Sequence, residues 1–394
     1  MQREQQYVMQ TYRRAEVEFV RGEGALLFDG QGRQYVDLLS GISVASLGHC
    51  PAPVIEAVSD QIGRLLHVSN LFYTGPMVDL AERISTRSIG GPVFFCNSGA
   101  EANECAIKVA RKHASGRGID DPEIIVFEGD FHGRTYGALS ATPGLASSPD
   151  LGPMLPGFRS VPFDDAAALE AAFGENTAAV LMEPVQGEAG VFPASEETLS
   201  TARRLCDESG ALLIFDEVQT GVGRTGSLWA YEQMAVRPDV LTTAKALGGG
   251  VAIGACVNSE RLGQVLEPGD HGSTFAAGPV AASAALAVLD AVDDPGMLRR
   301  IRDLGRFLRE SLLAIEGVTE VRGRGLMLGV GFEQGIDART LNSVLLERGF
   351  VANAPRPDTL RLLPPFVLED EQAAGAVAAI GEVVADLRGG RGEA

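Results

Sequence analysis

The feature that most constrains this chain is an apolar run at residues 211–215, which contains no charge and ends directly at Asp216. A continuous run of this kind is typical of a strand buried on both faces of a parallel sheet. A second, largely apolar stretch at residues 240–244 ends directly before Lys245, and three glycines follow at 248–250. Because ligands of open α/β sheets bind outside the carboxyl ends of the strands, this pattern predicts an acid and an amine side by side at a ligand site.

Three further apolar runs, at residues 93–96, 123–127 and 178–182, indicate more buried strands. Helical segments separate the runs, for example residues 196–209, directly before the central run. This alternation predicts an α/β fold with a mostly parallel sheet. Residues 16–40 instead show short strands with tight glycine turns, so we expect a hairpin region that packs on the C-terminal part of the chain.

The helix predicted after residues 93–96 begins in a pattern that suits an anion. Ser98 can cap the helix, Gly99 allows close backbone approach, and acids fill the first turn. Exposed N–H groups at a helix N-terminus bind phosphate. The same residues would also serve an ordinary helix start, so the pattern alone leaves both interpretations open.

The charged residues near the predicted strand ends also have ordinary structural interpretations. An aspartate after a strand often caps a turn, a lysine before glycines is often solvated, and Arg134 could form a surface ion pair. Arg361 lies within an apolar strand, where a charge requires a partner or a ligand. Glu183 and Glu188 follow residues 178–182 without a nearby histidine or cysteine, which argues against a metal site.

Length and charge limit the classes of function. A chain of 394 residues favours two domains. The formal net charge of −19 argues against nucleic-acid or anionic-membrane partners, because these require a basic face. The five cysteines are scattered without a C-x-x-C pair, the N-terminus lacks a signal-peptide core, and no apolar run could span a bilayer. We therefore expect a cytoplasmic protein with free thiols.

Several strings together resemble one family, the class III (omega) aminotransferases of fold type I, which use pyridoxal 5'-phosphate. They are FDEVQTGVGRTG (215–226), TTAKALGGG (242–250), NSGAEAN (97–103), FHGRT (131–135), EPVQGE (183–188), GSTF (272–275) and LRLLPPF (360–366). The resemblance implies a large cofactor-binding domain at residues 51–278, with a mostly parallel central sheet flanked by helices. It also implies a smaller α+β domain from residues 1–50 and 279–394, and a homodimer with shared active sites.

The resemblance also implies a role for each residue that would bind the cofactor. Lys245 would hold it covalently and shuttle protons, and Asp216 would pair with the pyridinium nitrogen; these two are the expected catalytic residues. Phe131 would stack on the ring, and Gln219 would bond the ring hydroxyl. The remaining expected contacts are Val218, the phosphate-binding Ser98, Gly99 and Ala100, and Thr274, which would reach the phosphate across the dimer interface.

For the substrates, the resemblance implies two arginines and a switch. Arg361 would bind the α-carboxylate of glutamate or 2-oxoglutarate. With the longer amine substrate, Glu188 would neutralise Arg361, and Arg134 would hold that substrate's carboxylate instead. Ser273 is a further expected substrate contact, and no metal is expected.

The strings RGEGALLFDG, LGHC, HVSNLFYT and FHGRT are close to enzymes that transfer the terminal amine of N2-acetyl-L-ornithine, an acylated diamino acid, to 2-oxoglutarate. Related enzymes acting on ornithine, 4-aminobutyrate or an acylated aminoadipate semialdehyde stay open, as do an aminomutase and a non-catalytic cofactor-binding protein. The chain departs from the family at Ala100, where threonine is frequent, and at Ala276–Gly278, where Gly-Gly-Asn is usual. One hydroxyl contact to phosphate would be missing, and bulk is added near the interface.

Overall fold

The computed structural model describes residues 2–146 and 148–389. In chain order, the strands are β1 (Phe19–Glu23), β2 (Leu26–Asp29), β3 (Gln34–Asp37), β4 (Gly90–Cys96), β5 (Glu123–Phe127), β6 (Phe158–Val161), β7 (Thr177–Met182), β8 (Val185–Gln186), β9 (Phe192–Pro193), β10 (Leu212–Asp216), β11 (Val240–Thr243), β12 (Gly254–Ser259), β13 (Val318–Arg324), β14 (Met327–Phe332), β15 (Phe350–Val351), β16 (Asn353–Arg356) and β17 (Thr359–Leu362).

The helices, also in chain order, are α1 (Gln2–Tyr7), α2 (Ser40–Ser43), α3 (Ala52–Ile62), α4 (Gly75–Thr86), α5 (Gly99–Gly116), α6 (Tyr136–Ser140), α7 (Pro143–Ala146), α8 (Ala166–Ala172), α9 (Glu196–Ser209), α10 (Pro279–Val292), α11 (Pro295–Leu313), α12 (Ala338–Glu347) and α13 (Asp370–Gly389). Short 3₁₀ helices lie at Pro149–Leu151, Ala230–Gln233 and Lys245–Gly248. None of the helices in the described ranges combines the length and apolar character that crossing a membrane requires.

The central sheet has seven strands in the order β4-β12-β11-β10-β7-β5-β6. Strand β10 is parallel to β7 and β11, and β5 is parallel to β6 and β7, whereas β12 runs antiparallel to both of its neighbours. Every residue of β7, β10, β11 and β12 is buried, as their apolar sequences predict. The carboxyl ends of the parallel strands therefore meet at one edge of the sheet, as predicted, and β12 begins there.

There are two smaller four-stranded sheets. The first, β1-β2-β3-β15, joins the two ends of the chain, and the second, β13-β14-β17-β16, is formed by the C-terminal part alone. The N-terminal hairpin pairs with the C-terminal part through β3 and β15, where Val36 lies opposite Phe350. We therefore propose the domain division at residues 51–278, with residues 1–50 and 279–394 forming the smaller domain. Residues 1, 147 and 390–394 of these expected domains lie outside the described residues.

Helix α2 is a left-handed turn rather than an ordinary helical one. Ser40, Gly41, Ile42 and Ser43 have φ angles of 45°, 63°, 61° and 66°. Each non-glycine residue in this conformation costs roughly 1–2 kcal/mol, because its Cβ approaches the following carbonyl oxygen. Part of the turn is held by Asp37, whose Oδ1 accepts hydrogen bonds from the amides of the next segment, including Ser40 N at 2.8 Å. The sequence predicted only a loop in this region.

Candidate active site

A cavity of about 480 Å³ opens at the carboxyl edge of the central sheet. Its walls come from loops that follow β4, β5, β7, β10 and β11, together with the loop that precedes β12. The lining residues are Val44, Asn97, Ser98, Gly99, Ala100, Asn103, Phe131, His132, Gly133, Arg134, Glu183, Asp216, Val218, Gln219, Ala244, Lys245, Gly250, Val251, Ala252 and Ile253. The sequence-predicted Lys245, Asp216, Phe131, Val218, Gln219 and Arg134 thus share one cavity with Ser98–Ala100.

Lys245 is placed at the cavity by a sharp change of backbone direction after β11. Its φ angle is 44°, a strained value for a residue with a side chain, and the 3₁₀ helix Lys245–Gly248 begins there. Burial lowers the pKa of Lys245, while the charges of Glu188 and Glu183 oppose that shift. A lysine with a lowered pKa is uncharged for a larger fraction of the time, so it can act as a nucleophile and as a base.

Asp216 is a buried carboxylate with three hydrogen-bond donors around it. Val218 N donates to Oδ1 at 2.9 Å, and Asn103 Nδ2 donates to Oδ2 at 2.7 Å. His132 Nδ1 lies 2.8 Å from Oδ2. These contacts give both carboxyl oxygens of Asp216 a hydrogen-bond partner inside the protein, as a buried polar group requires. Thr242 Oγ1 donates to Asn103 Oδ1 at 2.8 Å and so ties this arrangement to β11.

His132 is a member of the site that the sequence analysis did not assign. It is buried between Asp216 and Asp130, with Nε2 3.4 Å from Asp130 Oδ2. Burial alone would lower the pKa of His132, but its two carboxylate partners outweigh that effect and raise the pKa to about 10. His132 is therefore a cation at neutral pH. Its nearer partner lies 84 positions away in the sequence, so no local pattern could have identified the role.

Glu183, the first acid after β7, is buried beside the same group of charges. Its Oε2 accepts from Phe131 N at 2.9 Å, and its Oε1 accepts from Gly187 N at 3.2 Å. Burial raises the pKa of Glu183 well above its usual range, and the charges of Asp130 and Asp216 add to the shift. The hydrogen bond from Phe131 N holds the backbone of the residue whose ring lines the cavity.

The N-terminus of α5 forms the opposite wall. Ser98 is the N-cap, and its Oγ accepts from Glu101 N at 3.2 Å and donates to Glu101 Oε2 at 3.1 Å. A Cβ at position 99 would lie 2.6 Å from Val218 Cγ1, so only glycine fits there. Because the first amides of a helix lack intrahelical acceptors, Gly99 and Ala100 present N–H groups where an anion could bind.

Arg361 and Glu188 form an ion pair beside the cavity. Arg361 is fully buried in β17, and its Nη1 donates to Glu188 Oε1 at 2.6 Å and to Gln219 Oε1 at 3.4 Å. Asn353 Oδ1 accepts from Nε at 3.0 Å, whereas Nη2 has no hydrogen-bond partner among the described residues. Burial would raise the pKa of Glu188, but the neighbouring charge and hydrogen bond of Arg361 hold the pKa of this carboxyl below its usual range. The sequence expectation that Arg361 needs a partner is met.

Arg134 is exposed at the mouth of the cavity, with its guanidinium carbon 5.7 Å from the centre of the Phe131 ring. Within residues 2–146 and 148–389 it forms no ion pair, so the alternative of a surface salt bridge is not realised there. A cation over an aromatic face gains modest stabilisation and keeps its donors available for a carboxylate.

Ser273 and Thr274 do not reach this cavity within one chain. They line a separate cavity of about 540 Å³, together with Asn70. Ser273 Oγ accepts from Asn97 Nδ2 at 3.0 Å, so it approaches the main cavity only through Asn97. In the adjoining Ala276–Gly278 segment, Ala277 has a φ angle of 47°, a conformation that favours glycine.

The charge on His132 can be measured directly, because the chain contains only five histidines. In nitrogen-15 NMR of the histidine-labelled protein, we expect both ring nitrogens of His132 to be protonated at pH 7 and to titrate near pH 10. Asp130→Asn should lower that pKa, because it removes one of the two stabilising carboxylates. A neutral His132 ring at pH 7 would contradict the assignment.

The same charge predicts a change of stability with pH. The pKa of His132 is about 10 in the folded protein and about 6.5 in the unfolded chain. Its contribution to the free energy of unfolding is therefore fully present below pH 6.5. It is lost as pH rises towards the folded pKa. In urea unfolding measured as a function of pH, His132→Asn should remove this part of the fall in the free energy of unfolding. If the variant and the wild type lost stability equally between pH 6.5 and 10, the cationic assignment would be wrong.

Comparison with known proteins places these features in one family. The acetylornithine aminotransferase of Caldanaerobacter subterraneus subsp. tengcongensis is 42% identical over 390 residues, 98% of this chain and 99% of that protein. A crystal structure of N-acetylornithine aminotransferase from Stenotrophomonas maltophilia is 36% identical, covers 99% of both chains and has a TM-score of 0.85. For an ornithine aminotransferase structure from Toxoplasma gondii, reported with partial occupancy of PLP at its active site, the identity is 34%, the TM-score 0.94, and the coverage 100% of this chain and 95% of that one. These neighbours confirm the predicted fold class, and the aminotransferase class-III family model matches residues 7–384, so the chain belongs to the class III aminotransferases.

Proposed function

We propose that the chain is a pyridoxal 5'-phosphate-dependent transaminase of arginine biosynthesis. It transfers the terminal amine of N2-acetyl-L-ornithine to 2-oxoglutarate and forms N-acetylglutamate 5-semialdehyde and L-glutamate. The observation that carries the proposal is the meeting of Lys245, Asp216 and the α5 N-terminus in one cavity. The arginine-pathway substrate is supported by relatives named acetylornithine aminotransferase at 42% and 43% identity over nearly the whole chain.

The cavity residues fit pyridoxal 5'-phosphate on their own chemistry. Position 99 admits only glycine, so the wall near the α5 amides is shaped for close approach of a phosphate. Asp216 faces the same cavity, where its carboxyl group could pair with a protonated ring nitrogen, and the Phe131 ring can stack on the cofactor ring. Lys245 would hold the cofactor covalently, and Gln219 would bond its ring hydroxyl. The chemistry that the cofactor supplies when bound is an electron sink for the carbon beside the substrate nitrogen.

The residues of the chain provide proton transfer and orientation. Lys245 Nζ, with its lowered pKa, can take a proton from the substrate carbon and return it to a neighbouring atom. Asp216 would hold the proton on the ring nitrogen of the bound cofactor, and His132 and Asn103 hold Asp216 in position. Asp216 and Glu183 are buried, so this side of the cavity is closed to bulk water.

The two substrates require two ways of binding a carboxylate. Arg361 would bind the α-carboxylate of glutamate or 2-oxoglutarate, for which its Nη2 is an unpaired donor among the described residues. For N-acetylornithine, the Glu188–Arg361 ion pair would stay closed, and Arg134 at the cavity mouth would bind the carboxylate. The chain's overall negative charge makes such local arginines necessary for anionic substrates.

An exposed apolar surface supports a homodimer. The His67 and Phe275 rings lie 5.6 Å apart, and Asn70 Nδ2 donates to Ser273 O at 2.9 Å, so two segments form one continuous surface next to Thr274. Its exposed apolar members are Leu66, Leu71, Phe72, Tyr73 and Phe275. Contiguous exposed patches of this kind mark interfaces. In a dimer, the Thr274 of each copy would complete the phosphate site of the other.

The dimer predicts a mass in sedimentation equilibrium of about twice 41.5 kDa. Phe72→Asp should shift the protein towards the monomer, because it places a charge in a buried apolar contact. Leu313→Asp, at another exposed leucine, serves as the control and should leave the mass unchanged. A wild-type protein of 41.5 kDa at all concentrations would refute the dimer.

A substrate panel tests the proposed reaction. The holoenzyme is mixed with 2-oxoglutarate and, separately, with N-acetylornithine, ornithine, 4-aminobutyrate or N-acetyl-lysine, and glutamate is measured at low substrate. We expect the highest kcat/KM with N-acetylornithine. A preference for ornithine would support the second candidate, ornithine aminotransferase, which the TM-score of 0.94 to such an enzyme favours. No glutamate with any amine would overturn the proposal and leave an aminomutase or a non-catalytic protein.

The switch at Glu188 predicts unequal effects on the two half-reactions. Glu188→Gln leaves Arg361 without its neutralising partner, so Arg361 would compete with Arg134 for the carboxylate of N-acetylornithine. In single-turnover measurements we expect kcat/KM to fall about tenfold for N-acetylornithine and to change little for glutamate. Glu310→Gln, an exposed glutamate on α11, is the control. Equal losses in both half-reactions would exclude the switch.

A further inference from the structure

Arg224 is a fully buried cation that the proposed reaction does not use. All five of its N–H groups are hydrogen-bonded to neutral oxygen atoms. Burial lowers the pKa of Arg224 to about 9, with the charge of Asp37 opposing the shift, so it is still a cation at neutral pH. Its guanidinium carbon also lies 4.8 Å from the centre of the Phe366 ring. A buried charge without an ion pair is costly, and the hydrogen bonds to the surrounding residues must offset that cost.

Three of the five acceptors are hydroxyls of the left-handed turn and the residues after it. Arg224 Nε donates to Ser43 Oγ at 2.8 Å, and Nη2 donates to Ser46 Oγ at 2.7 Å and to Ser40 Oγ at 3.2 Å. The other two acceptors are backbone carbonyls, Leu326 O at 3.0 Å and Pro364 O at 2.7 Å. The guanidinium thus joins the turn to the residue directly before β14 and to the segment that follows β17.

Each hydroxyl that accepts from Arg224 passes a hydrogen bond onward. Ser40 Oγ donates to Leu363 O at 2.6 Å, and Ser46 Oγ donates to Ser43 O at 3.1 Å. Ser43 Oγ lies 3.4 Å from Gln219 O and donates to it. A hydroxyl can accept one hydrogen bond and donate another. The three serines therefore link Arg224 by hydrogen bonds to the backbone carbonyls of Leu363, Ser43 and Gln219.

The turn borders the cavity on the side of the substrate carboxylate. Val44, the next residue, lines the cavity, and so does Gln219, whose side chain contacts Arg361. Leu363 and Pro364, which are held through Ser40 and by Arg224, follow Arg361 in the chain. Strained left-handed residues persist only where their surroundings hold them, and the described contacts of the turn centre on Arg224 and Asp37.

We propose that Arg224 is a positioning residue that holds the Ser40–Ser43 turn against Gln219 and the Arg361 strand, and so sets the carboxylate-binding side of the site. This inference rests on the proposed function. Lysine could not replace it, because an ammonium group has three donors and no planar fork. The expected signature is a change in KM for 2-oxoglutarate with little change in kcat, since the hydrogen bonds of Arg224 go to neither Lys245 nor Asp216.

The test compares Arg224→Lys and Ser43→Ala with Arg309→Lys in the full-length holoenzyme. Like Arg224, Arg309 donates to backbone carbonyls, those of Val321 and Gly323, but these hydrogen bonds do not involve the Ser40–Ser43 turn. We expect Arg224→Lys to raise KM for 2-oxoglutarate about tenfold, and Ser43→Ala, which is milder and keeps Arg224, to raise it less. Arg309→Lys should lower the Tm without changing KM.

Two readouts do not depend on turnover. Hydrogen exchange should be faster at the amides of residues 40–46 in both variants, and calorimetry should show weaker 2-oxoglutarate binding. If the wild type binds 2-oxoglutarate but transfers no amine, the proposed reaction fails while these readouts still test Arg224. An unchanged KM, unchanged binding and unchanged exchange, with only a lower Tm as in Arg309→Lys, would overturn the inference.

Discussion

The site depends on one buried charge, the carboxylate of Asp216 at the carboxyl end of β10. An isolated carboxylate in a protein interior is strongly unfavourable, so its donors must be in place when the fold forms. They come from different elements: Asn103 on α5, His132 after β5, and the amide of Val218. Asn103 is held in turn by Thr242 of β11, the strand that leads to Lys245. Satisfying this single carboxylate therefore fixes the relative positions of most of the cavity wall.

A second set of buried charges controls the other side of the cavity. Arg361 forms an ion pair with Glu188, whose side chain is 37% exposed and has room to move. Arg224 is instead hydrogen-bonded to serine hydroxyls and backbone carbonyls of the surrounding chain. The difference in partners implies a difference in role. In the proposed reaction, Arg361 would exchange Glu188 for a substrate carboxylate, whereas Arg224 would hold its backbone and serine partners together.

Much of the fold was accessible from sequence because buried parallel strands are continuous apolar runs. The run 123–127 coincides with β5, and the runs that end at Asp216 and before Lys245 correspond to β10 and β11. Strand polarity then placed Asp216 and Lys245 at the same edge. The left-handed turn was not accessible, since Ile42 is a poor residue for positive φ and the turn is held by contacts with Arg224, which lies 181 positions after Ser43.

The sequence by itself determined the fold class and the edge of the sheet at which Asp216 and Lys245 meet. Both follow from local apolar patterns and from strand direction, which can be read from the order of the residues. Only the tertiary structure decided which groups surround them: the carboxylates that raise the pKa of His132, the burial that raises the pKa of Glu183, and the enclosure of Arg224. The physical reason is that desolvation and hydrogen bonding depend on distances in space, and these groups are brought together from positions far apart along the chain.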